Sequence, residues 1–243
     1  MSWNTRAPKL EDERRYQHLI EIHQLTQTWL NELAPKSPAA ATESHRLERF
    51  IPPNLVQNLW LLEKVRLDQL APQLESVIDA TTVTEFLSHL EEDIWLVQMA
   101  VIDNALKNTS DPAGLTNLLE QTSWQYGKTI AEKNWPFFEA NQKKLEEWNA
   151  ISFFKALHAS PLAGAHDFLI ERQIPLECSF FWVKSPLARP SLKLNPQVFV
   201  LCQLYHQFLR GFFYGLSRSL TVEVTPTSLG NQKTWRINLL LSY

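Results

Sequence analysis

The period of the apolar residues changes once along this chain, and that change limits the fold more than any other feature. Up to about residue 158 the spacing is helical. Tyr16, Leu19, Ile20, Ile22, Leu25, Trp29, Leu30 and Leu33 make one stripe within residues 11–33, and Ala34-Pro35 closes it, because proline cannot continue a helix. Residues 35–46 hold no period and read as a linker. Pro52-Pro53-Asn54 predicts a second helix start, continued by Leu55, Leu59, Leu62, Val65 and Leu70. A third helix is expected over 83–106, with an apolar face wide enough for a central position (Phe86, Leu87, Leu90, Ile94, Trp95, Val97, Met99, Ile102). Asp111-Pro112 then supplies a cap and a first helical residue. Residues 141–158 form a further amphipathic stretch, and 160–173 a shorter segment compatible with helix.

At Leu176 the pattern switches. Residues 176–184 (LECSFFWVK) are rich in aromatics and suit a strand, which Ser185-Pro186 ends. A long apolar helix follows over 197–217. Two strand-like runs, 220–226 and 234–241, flank Ser228-Leu229-Gly230-Asn231, which is turn chemistry. The order predicts an α+β protein: a helical N-terminal region, residues 1–107, followed by residues 108–243, in which an antiparallel sheet packs against helices.

Composition excludes several classes. The formal charge of −3 and the absence of a dense Lys/Arg cluster speak against nucleic acid as a partner. No apolar run is long enough for a transmembrane segment. No secretory leader is visible, and two cysteines cannot build a disulfide framework, so a cytoplasmic location is expected. Six glycines leave little material for a phosphate-binding loop. Cys202 and His206 stand four apart on one helix and are the nearest thing to a nucleophile and base, although both residue types are also common packing residues. The histidine pairs His18/His23 and His158/His166 lack metal-helix spacing, and the carboxylates of Glu91-Glu92-Asp93 and Glu146-Glu147 fit a solvated face.

Several pieces in the second part have a family likeness when taken in order. They are Leu118-Leu119-Glu120 through Tyr126-Gly127-Lys128, Val183-Lys184-Ser185-Pro186-Leu187-Ala188, Cys202 with Gly211, and Thr221-Val222-Glu223-Val224-Thr225 with Gly230. Together they resemble the 4-vinyl-reductase domain family, which includes pigment-pathway proteins and phenol-sensor domains and is related in fold to transport protein particle subunits. The resemblance covers roughly residues 110–243 and leaves the first 105 residues unmatched. It implies a binding module of helices and sheet that dimerises and takes an apolar, aromatic or lipid-like molecule, a protein partner, or both. Zinc-binding members hold the metal at positions aligning with Cys202, Glu223, Pro226 and Thr234. Proline has no donor side chain and a threonine hydroxyl is a poor zinc ligand, so the resemblance implies the fold with no metal and no other cofactor. The enzymatic alternatives it carries are a pigment-pathway reductase and a thiazoline-carboxylate hydrolase, for which no catalytic residues are visible.

An apolar pocket, if the domain has one, is expected between the closing sheet and the helices of residues 113–134 and 197–217. Trp124, Phe180, Trp182 and Phe208 would line part of it. Alternation puts Leu176, Cys178, Phe180 and Trp182 on one strand face, and Leu201, Tyr205, Phe208 and Phe212 on a matching helix face. Gly127 and Gly211 remove side chains there, which leaves either a close approach or a void. The same positions are equally compatible with a filled core.

Overall fold

The computed structural model describes residues 10–33, 83–142, 149–159, 168–183, 186–189, 192 and 194–241. The linker over 35–46, the helix start at Asn54 and the carboxylates of Glu146-Glu147 lie outside them. The elements are α1 (Leu10–Leu33), α2 (Val83–Lys107), α3 (Pro112–Gln142), α4 (Ala150–Ala159), β1 (Phe168–Ile174), β2 (Glu177–Trp182), α5 (Val198–Leu216), β3 (Leu220–Leu229) and β4 (Gln232–Leu241). A single 3-10 turn, Pro186–Ala188, separates β2 from α5. The fold is α+β, as the switch in period requires.

All four strands form one antiparallel sheet in the order β1-β2-β4-β3. Gly230, at φ 60°, makes the turn between β3 and β4. Pro226 sits within β3, a position open to proline because β3 is an edge strand. Residues 168–173 belong to a strand, not a helix: Phe168 pairs with Trp182 and Ile170 with Phe180, across a tight turn at Pro175-Leu176. Local spacing in this short segment is ambiguous, and pairing with β2 decides it.

Helix α5 lies between α3 and the sheet, which is why it is apolar nearly all round. Leu201, Cys202, Tyr205, Phe208, Phe212 and Phe213 are all buried. Its contact with α3 is made by backbone. A Cβ placed on Gly127 would stand 2.0 Å from the Phe208 carbonyl oxygen, and one on Gly211 would stand 1.9 Å from that of Trp124. The two glycines therefore produce a close approach rather than a void.

The N-terminal helices join this unit through buried polar groups. The Trp29 indole N–H donates to Ser123 Oγ at 2.9 Å. Gln98, fully buried on α2, donates to the Ile22 carbonyl at 3.0 Å and to Thr26 Oγ1 at 2.8 Å, and accepts from the Tyr205 hydroxyl at 3.0 Å. One amide thus ties α1, α2 and α5 together.

Candidate functional site

The Cys202/His206 pair sits where α5 meets the sheet. The thiol is fully buried, and burial pushes its pKa up to about 12. His206 packs its ring edge-on against Trp235 at 4.2 Å between centroids. Burial first, and the charge of Arg210 second, pull its pKa down to about 3. Near neutral pH the site holds an un-ionised thiol beside an uncharged imidazole. Such a pair lacks the thiolate that nucleophilic chemistry needs. The second cysteine, Cys178, is likewise buried, with its thiol raised to about 11 by burial and by Glu177.

The positions aligned with zinc ligands are distributed over both faces of the sheet. Cys202 is buried on α5. Glu223 is exposed and pairs in register with Asn238, on the face opposite the buried Val222, Ile237 and Leu239. Pro226 is exposed, and Thr234 is buried with its hydroxyl donating to the Trp182 carbonyl. Among the described residues, no group of three or more His, Cys, Asp or Glu side chains could hold a metal ion.

The expected strand face is found in part, since Leu176 is exposed in the turn before β2. Cys178, Phe180 and Trp182 are buried and turn toward the helices, where Trp182 meets Tyr205 at 5.6 Å between ring centroids. Trp124, Phe180, Trp182 and Phe208 each have a different ring neighbour. Phe180 packs on Phe154 at 4.7 Å and Phe168 at 5.0 Å, Phe208 on Tyr126 at 6.0 Å, and Trp124 on Tyr214 at 5.1 Å.

Two features of the site escape the sequence reading. Glu91 does not belong to a solvated face. It is buried, takes Arg189 Nη2 at 2.9 Å and lies 3.7 Å from His18 Nε2. Arg189 also reaches Glu92 at 3.4 Å and lies over the Trp95 ring. The second feature is an open trough of about 780 Å³ on the outside of the α3–α5 contact, bordered by the start of β3. Of the four expected lining residues, it contains Trp124 alone. Arg210, Tyr214 and Arg218 share its wall, at exposed positions of α5 and the turn after it. An arginine four residues from a tyrosine on the outward face of an otherwise apolar helix was the signal available in the sequence.

No helix among the described residues is long and apolar enough to cross a membrane. Compared with known protein families, with curated proteins and with solved structures, the chain finds no match.

Proposed function

We propose that this chain is a non-catalytic binding module, built on a 4-vinyl-reductase-like plan, that works as a protein-interaction adaptor and pairs with a second copy of itself. The observation that carries the adaptor reading over an internal ligand site is the α3–α5 contact. Gly127 and Gly211 bring the two backbones together where a ligand would otherwise lie, and three of the four rings expected to line a pocket, Phe180, Trp182 and Phe208, are engaged in core contacts. An un-ionised Cys202 beside an uncharged His206 supports a role without covalent catalysis. The family part of the reading is supported by element order: strand, short break, long glycine-bearing helix, closing hairpin.

The test is mass spectrometry of the denatured protein, alongside light scattering across a dilution series. The expected result is no stoichiometric small molecule and a particle of about twice 28.2 kDa. One equivalent of an aromatic or lipid-like compound would replace the adaptor with a sensor. A 28.2 kDa particle at every concentration would remove the pairing.

A further inference from the structure

We infer that the trough between α3, α5 and the edge of β3 is a docking site for an extended, acidic peptide segment of a partner protein, added alongside β3. The inference deepens the adaptor reading and rests on it.

The trough's geometry favours a strand-like occupant. Leu220, Thr221 and Val222 all border it, although consecutive strand residues point to opposite faces of a sheet. A space that meets three in a row fits a path along the strand's edge better than one over a single face. No further strand pairs with that edge among the described residues, because the sheet ends at β3. An unpaired edge offers backbone donors and acceptors to an incoming extended chain, and such addition is a recurring mode of peptide recognition.

Charge indicates what the peptide carries. Arg210 and Arg218 line the trough, both exposed, and neither forms an ion pair with a described residue. The single carboxylate in the lining, Glu120, already accepts a hydrogen bond from Gln203. Lys128, 5.9 Å from the Trp124 ring, is already paired with Glu132 at 3.6 Å, so among the described residues the two arginines alone carry the trough's positive charge. The surplus is positive even though the whole chain is formally −3. Guanidinium groups grip carboxylates through two parallel hydrogen bonds. Between them the tilted Trp124–Tyr214 pair, 5.1 Å apart, gives an apolar surface for a neighbouring side chain.

The experiment pans the full-length chain against a display library of short random peptides and measures the affinity of an enriched sequence. Enrichment of Asp/Glu-bearing, β-prone sequences is expected, with binding weakened at least about tenfold in R210Q/R218Q. Both arginines are exposed, so the variant's melting temperature should stay at the parent value. N-methylating alternate backbone amides of the peptide should abolish binding for one of the two alternate sets, since an added strand pairs through every second residue. Acidic peptides that bind R210Q/R218Q as tightly as the parent would sink the trough while leaving the adaptor reading intact with another face. Libraries that yield no acidic bias, or free citrate competing as well as the peptide, would also overturn the proposal. A co-purified small molecule, by contrast, tells against the adaptor reading itself.

Discussion

The chain joins its helices in two different ways. Between α3 and α5 side chains are removed, and Gly127 and Gly211 let backbone meet backbone. Between the N-terminal pair α1–α2 and the rest, polar side chains are buried instead and several are paired across the junction: Trp29 on Ser123, Tyr205 on Gln98, Arg189 on Glu91. The first junction draws its strength from close packing and tolerates nothing added. The second draws specificity from hydrogen bonds and tolerates nothing removed, because each buried donor or acceptor left alone carries its desolvation cost. They should therefore respond to opposite kinds of substitution.

The largest effect is expected at the glycine contact. Gly211→Val puts a branched side chain where even a Cβ stands 1.9 Å from the Trp124 carbonyl oxygen. Backbone cannot rotate out of the way as a side chain can. The loss should be about 3 kcal/mol or more, at the top of the range for overpacked cores, or folding should fail. Gly215→Ala is the milder control. Its Cβ would meet Ala131 Cβ at 2.8 Å and the Lys128 carbonyl oxygen at 2.9 Å, so a smaller shift of the helices relieves it. Urea unfolding of the two variants should separate them clearly, and equal losses would break the idea of a backbone contact centred on Gly211.

At the polar junction the order of sizes follows burial. Glu91→Leu strips Arg189 of its buried partner, but Glu92 remains within 3.4 Å and the arginine side chain is 19% exposed. A loss of about 2–3 kcal/mol is expected, below the full cost of orphaning a buried charge. Tyr205→Phe removes one hydroxyl and leaves the buried Gln98 Oε1 without its donor. About 1–2 kcal/mol should go, read as a lower urea midpoint at unchanged slope. If Tyr205→Phe proves neutral, the junction is held by packing alone, and the contrast with the glycine contact disappears.

Much of this architecture was legible in the sequence. The capping role of Asp111 is realised in a hydrogen bond from the Gly114 N–H to Asp111 Oδ1 at 2.9 Å, and the alternation placed Cys178, Phe180 and Trp182 at buried positions of β2, though Ser179 is buried as well and Leu176 is exposed. These are local signals, fixed by spacing within one element. What stayed hidden depends on partners far away in the chain. Glu91 looks like any helical carboxylate until Arg189 is placed against it. Residues 168–173 became a strand only because β2 was there to pair with. Glycines on two helices announced a missing side chain without saying whether a void or a neighbour fills the place. Gln98 was the exception that could have been caught: a polar residue within the apolar run from Ile94 to Ile102 asks for a buried partner.

The smallest effect is expected from a polar group that neither junction satisfies. His206 faces Trp235 on the sheet side of α5, and its Nε2 is buried with no hydrogen-bond partner. Its pKa is depressed to about 3 by burial and by Arg210, against about 6.5 for an unfolded histidine. The unfolded chain therefore binds a proton on falling through about pH 6.5 that the folded chain refuses until about pH 3, so His206 costs stability progressively as the pH drops across that window. Between pH 7 and pH 6 only the start of the window is crossed, and the loss from this group should be under about 1 kcal/mol. The chain holds seven histidines, so the total slope does not isolate His206. The difference between the parent and His206→Phe does, because phenylalanine keeps a ring against Trp235 and cannot take the proton. Melting curves at the two pH values should show a shallower acid slope in the variant. Identical slopes would mean that His206 reaches solvent and takes its proton in the folded state, and the helix–sheet contact would then be looser than the α3–α5 contact on the other side of the same helix.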